Sequence, residues 1–298
     1  MTSEQRAAAL AEQPLTVIGA PLGFLTGTGE SLRELWRYRG LLDLLTRREI
    51  KVRYKDSALG LLWTLIRPLA MLAVYYFAIG KFLGAQRSIP DFAVYIFTGL
   101  TAYQLFSEIV SGCTGSILGN AGLVKKIHLP REVFPLSTVG SALFNFAVQV
   151  AVLFAATIAV GKVPLGERLL YLPLSLAVLF VWATAIGLVL AAINVFLRDV
   201  QYLVEISLTV LFWSTPTVYS LGLVRNAVGP TIESIYLLNP LAAAVLGMQR
   251  AFWVAGDSSP QTSDLGLRLV AMLAVGAVLL FFGQRVFSRL EGNFAQEL

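Results

Sequence analysis

One cysteine and one histidine in 298 residues leave little room for side-chain chemistry. Cys113 alone excludes an internal disulfide and a thiolate metal site. In its Gly/Ser-rich apolar stretch it reads as a packed, inert thiol. A Ser/His/Asp triad or a histidine metal site would rest on His128, and no motif surrounds it. The chain has no G-x-x-x-x-G-K-[ST] phosphate loop, and Gly27-Thr28-Gly29 lacks the third glycine and preceding strand of a dinucleotide turn. Residues 1–30 lack the basic start and apolar core of a cleavable signal peptide. With Pro14, Pro21 and four glycines, 1–29 reads as a flexible cytoplasmic leader. Charge is scarce too. Only 14% of residues are charged, against about 25% in soluble domains.

What is present in excess is apolar: 56% of the chain, with a mean hydropathy of +0.72. The fold class expected is an all-α integral membrane protein. Crossing roughly 30 Å of hydrocarbon takes about 20 residues of helix, and six runs qualify, near 58–82, 92–118, 133–160, 168–197, 201–221 and 265–288. The region 222–264 is interrupted by Asn239-Pro240 and suits two short helices that dip into the outer leaflet and return. Nine Lys and Arg precede residue 58, three lie in 119–132, and the opposite side has seven spread thinly. The positive-inside rule then places both ends in the cytoplasm, the tail 289–298 included. It also accounts for the net charge of +5 without nucleic acid.

Three groups of residues stand out as candidates. Arg47, Arg48, Lys51 and Lys55 crowd one side of a helix over 30–57, with Arg53 close by but off that stripe, while Leu35, Tyr38, Leu41, Leu42, Leu45 and Val52 fall on the other. That pattern predicts an amphipathic helix along a membrane surface, its apolar side in the acyl boundary. The loop 120–135 sets Lys125, Lys126, Arg131 and Glu132 among Leu123, Val124, Ile127 and Leu129, with Pro130 as a break. Apolar residues facing cytosol suggest a docking surface. Within the spans, Glu108 is either a polar group facing a conduit or a hydrogen-bonded acid between helices. Ser111, Gly115 and Gly119 form a small-residue face suited to close helix approach.

The order of these motifs resembles the membrane subunit of type 2 ABC exporters, in the branch that exports O-antigen, teichoic acid and capsular polysaccharide. RREIKVRYKDSALGLLW (47–63) resembles the family's basic helix and entry to the first span, and NAGLVKKIHLPREVFPL (120–136) its coupling segment. NVFLRDV (194–200), TPTVYS (215–220), LNPL (238–241) with Arg250, and FSRLEGNFAQEL (287–298) match in order, covering about 30–298. The resemblance implies a homodimer with two separate ATPase subunits, which would hold ATP and Mg; no cofactor is expected in this chain. It assigns Asn120, Lys125, Lys126, His128, Leu129, Pro130, Arg131 and Glu132 to the ATPase contact. The basic helix would frame the entrance, its cations drawing either the pyrophosphate of a lipid-linked glycan or the head groups of membrane lipids. Spans one and five would line the dimer axis, putting Tyr75, Phe77, Phe212, Trp213 and Tyr219 beside the passing sugar. Sugar C–H faces stack on aromatic rings, although Tyr75, Tyr76 and Phe77 point about 100° apart and do not all face one lumen. A stand-alone glycosyl- or acyltransferase acting on lipid-linked sugars is the alternative. It would need acid, base or nucleophile residues gathered at one membrane face, where only His128, Asp199 and Glu205 offer themselves.

Overall fold

A computed structural model describes residues 27–54, 62–126, 129–258, 262 and 264–298, and every regular element among them is helical. Two helices, α1 (Gly27–Arg37) and α2 (Arg39–Tyr54), precede α3 (Trp63–Tyr75), which continues as a π-helical turn over Tyr76–Phe82. Then come α4 (Phe92–Gly119), the short α5 (Ala121–Lys126) and α6 (Val133–Ala159). After them run α7 (Tyr171–Phe196), α8 (Val200–Trp213), α9 (Leu221–Tyr236), α10 (Pro240–Phe252), α11 (Leu265–Leu290) and α12 (Phe294–Glu297). The break between α1 and α2 falls at Tyr38.

Among the described residues five helical stretches are long and apolar enough to cross a membrane: Trp63–Phe82, Phe92–Gly119, Val133–Ala159, Gly166–Phe196 and Leu265–Glu297. The chain is a multi-pass membrane protein. α4 is the hub. It packs on α6, α7 and α10, and 72% of its most apolar window is enclosed, against 6% for Trp63–Phe82 at the rim. Close packing at the hub uses Gly187 of α7, where an added Cβ would lie 2.8 Å from that of Cys113. Cys113 is fully buried there, as expected. Of the small-residue face, Gly115 lies against α8, where an added Cβ would sit 3.5 Å from the Gln201 carboxamide oxygen, whereas a Cβ on Gly119 meets nothing within 4 Å.

The fifth apolar run is shorter than the sequence suggested. α8 has 14 residues, about 21 Å at 1.5 Å per residue. Pro216 forbids helix continuation, and Ser214–Ser220 runs on as irregular chain with Thr215, Thr217 and Val218 fully buried. Backbone outside a helix is tolerated at that depth only when its polar groups are satisfied. Side chains do this. Tyr95 Oη donates to the Pro216 and Tyr219 carbonyls (3.1 and 2.6 Å), Gln249 Nε2 to Pro216 O (2.9 Å) and Asn239 Nδ2 to Ser214 O (3.2 Å). Beyond it α9 and α10 supply the two short helices expected over 222–264. α9 is broken at Gly229 (φ 77°), and α10 starts on an Asn239 cap with Pro240 in its first turn.

Valine in place of Gly187 forces side-chain volume against Cys113 and costs about 1–3 kcal/mol by overpacking. Alanine at Gly119 is expected to be neutral. Thermal unfolding of the two variants in detergent, followed by loss of helical circular dichroism, checks the contrast.

Candidate functional site

Polar side chains inside the apolar bundle gather on one cavity of about 960 Å³, walled by α3, α4, α6 and α8, with Arg53 of α2 at its rim. α4 contributes Gln104, Ser107, Glu108 and Ser111, whose spacing of three and four puts them on one helical face. α6 adds Asn145 and Gln149, again four apart. Glu108 is only 13% exposed and sits eleven residues before the end of α4, about 16 Å along its axis. It accepts a hydrogen bond from Asn145 Nδ2 (2.6 Å) and is ion-paired with the Arg53 guanidinium. The carboxylate of Glu108 therefore both faces the cavity and is bonded between helices, which joins the two readings the sequence left open. The Gln149 carboxamide oxygen is buried with no hydrogen-bond partner among the described residues.

Of the expected aromatics, Tyr75, Phe212 and Trp213 line this cavity. Phe77 does not; it lies on the outer surface of the π turn, half exposed, with Lys81 Nζ 5.3 Å from its ring centre. Tyr219 also lies elsewhere, its hydroxyl donating to Trp213 O (2.7 Å) and sharing a bond with Tyr236 (3.1 Å). Tyr103, which the sequence reading passed over, stands edge-on to Phe212 at 4.9 Å and donates to Leu208 O. Thr64, Arg67, Glu205 and Thr209 complete the polar lining.

The basic group divides. Arg53 reaches the cavity, whereas Arg47 pairs with Asp43 on its own helix and Arg48 donates to Asn120 Oδ1 (3.1 Å). Lys51 is exposed, and Lys55 lies outside the described residues. The apolar side of this helix pair packs on protein. Leu35, Tyr38, Leu41, Leu42 and Leu45 join a cluster with Val124, Val133, Phe287 and Phe294. Val52 turns the other way and is 62% exposed.

In the 120–132 segment two of the apolar residues expected to face outward are turned inward. Leu123 and Val124 point into that same cluster, leaving Gly122, Lys125 and Lys126 exposed on α5. The reason is tertiary: α12 folds back and supplies Phe294, fully buried, as their partner. Ile127 and His128 lie outside the described residues, and Leu129 and Pro130 are half-buried. Arg131 stacks over the Phe294 ring at 5.8 Å. Glu132 is buried, accepting from Gln284 Nε2 (2.8 Å) and Ser288 Oγ (3.1 Å). Burial pushes its carboxyl above the usual range, while those donors and the nearby Arg285 pull it back. Among the described residues no three His, Cys, Asp or Glu side chains form a metal-ligand group.

Comparison with known proteins follows the same ground. The ABC-2 type transporter family model matches residues 41–253. The O-antigen export system permease protein RfbA of Myxococcus xanthus is 32% identical over 270 residues, covering 90% of this chain and 98% of that protein. The RfbA of Klebsiella pneumoniae is 27% identical over 259 residues (87% and 95%), and the polysialic acid transport protein KpsM of Escherichia coli is 27% identical over 258 (84% and 93%). These relatives are named as permease or transport proteins.

A cavity lined by Gln104, Ser107 and Glu108 is expected to hold water. Cysteine at Ser107 should react with a small polar maleimide in membrane vesicles, while the parent chain, with only buried Cys113, stays unlabelled. Mass spectrometry of the labelled protein reads the difference; a silent Ser107→Cys would show a dry cavity.

Proposed function

The chain belongs to the ABC-2 type transporter family, and from that footing we propose that it is the membrane subunit of an exporter for a lipid-linked polysaccharide. The observation that carries the reading is the polar and aromatic cavity inside an otherwise apolar bundle, with a cationic side chain at its rim. A hydrophilic polymer needs hydroxyl partners and ring faces along its path, and Gln104, Ser107, Asn145, Tyr75 and Trp213 offer both. O-antigen and polysialic acid are the cargoes named for the relatives; a teichoic acid presents the same demands and stays within the proposal.

The remaining parts take their roles from this. The basic end, with α2 and the 120–132 segment, faces the cytoplasm at the plasma membrane, as the Lys and Arg distribution requires. α8 with Ser214–Ser220 makes the sixth crossing, and α9 and α10 re-enter from the outer face. The exposed apolar surfaces of α3 and α8, among them Leu69, Met71, Ile206 and Val210, meet a second copy, so that two cavities merge into one conduit. Lys125 and Lys126 face two ATPase subunits, which bind ATP and Mg and supply the energy. Arg53 and Arg67 receive the diphosphate of the lipid carrier, and Arg47 and Lys51 hold lipid head groups.

Alanine at Tyr75, Phe212 and Trp213 together should lower surface polysaccharide at least about tenfold, equivalent to roughly 1.4 kcal/mol of lost passage stabilisation. Co-purification of the ATPase should persist. Immunoblotting of the exported polymer checks the first and affinity capture the second; normal export by an assembled variant would remove the stacking role. Glutamate at Lys125 and Lys126 should instead abolish capture of the ATPase.

A further inference from the structure

The C-terminal end of α11 and the tail close over the docking segment. Glu132 ends that segment, and its carboxylate is held by two donors one helical turn apart on α11, Gln284 and Ser288. Arg131 stacks on Phe294, which is fully buried together with Phe287. Leu123, Val124 and the terminal Leu298 pack in the same cluster. At the other end of the segment Arg48 holds Asn120. The charged groups around Glu132 are Arg285 of α11, Glu291 just beyond that helix and Glu34 of α1, besides its two donors. A segment that merely linked α4 to α6 would need none of these contacts. A short loop with a buried, bonded carboxylate at its end is rigidly registered on a third helix.

We propose that Glu132, held by Gln284 and Ser288, is a positioning residue that fixes the docking segment to α11, so that motion imposed on the segment reaches the bundle instead of being absorbed at its ends. This rests on the reading of residues 120–132 as the ATPase contact. A buried carboxylate bonded to neutral donors resists displacement because every alternative position leaves it short of partners. The tail acts as the strap that excludes water from this junction, through Phe294.

The test uses the full chain assembled with its ATPase, carrying Gln104→Cys in the cavity as a reporter. The maleimide labelling rate is measured with and without ATP plus vanadate. In the otherwise unchanged chain trapping should alter the rate by about fivefold or more, the low end of a coupling between sites. In Gln284→Leu with Ser288→Ala the ATPase should still co-purify but the rate should no longer respond, and Ser288→Thr alone should keep the response. If the double variant folds poorly, adding Glu132→Leu removes the stranded carboxylate and gives an apolar junction of similar volume. That triple variant should assemble and remain unresponsive. An intact response in an assembled double or triple variant overturns the inference. If the unchanged chain fails to hold the ATPase, or Lys125 and Lys126 prove irrelevant to capture, it is the docking reading that falls.

Discussion

A carboxylate deep within an apolar helix has to be paired, hydrogen-bonded or neutral, and Glu108 sets this condition on everything around it. Asn145 must come from α6, which fixes how α6 lies on α4. Arg53 must come from the end of α2, which draws the basic helix pair onto the bundle. The polar face that follows, Gln104 to Ser111, then has to look onto a space instead of into a core, and α3 and α8 stand off to leave it. In an apolar solvent such a space has no role in stability. Its cost makes sense for a protein whose cargo is hydrophilic.

The same rule of satisfied polar groups governs the far end of the molecule. Where Pro216 stops α8, three side chains from α4, the α9–α10 connection and α10 meet the freed carbonyls. Tyr95, Asn239 and Gln249 thus make an irregular segment possible at membrane depth, and they tie the end of α8 to the helices that re-enter behind it. At the basic end, Glu132 plays a comparable part between the 120–132 segment and α11. These last two junctions lie at helix ends, whereas Glu108 and Asn145 meet in the middle of their helices.

Much of this was legible in the sequence. Length and hydropathy located five spans to within a few residues, and the Asn239-Pro240 pair marked the start of α10. The fifth run was read too long because an apolar stretch continues past Pro216 to Leu221, and hydropathy does not register where a helix must end. The polar spacing 104, 107, 108 and 111 was present as a signal, as was 145 and 149, but only Glu108 was read as a polar group, and Ser111 was taken for part of a small-residue face. The Arg53–Glu108 pair spans 55 positions and no local pattern announces it. Leu123 and Val124 were expected to face outward because their partner, Phe294, sits at the opposite end of the chain. Periodicity assigns a helix its faces; what covers each face is decided by tertiary structure.

The central claim is that this cavity carries a glycan only when a partner ATPase drives it. The most direct measurement reconstitutes the chain with that ATPase in vesicles holding a short lipid-linked glycan on the side of the basic end, and follows its arrival on the other side by access to an added glycosidase. The account predicts arrival that requires both subunits and ATP, and that fails when Glu108 and Asn145 are replaced by leucine. Arrival without ATP, or undiminished arrival through the leucine-lined cavity, would contradict it.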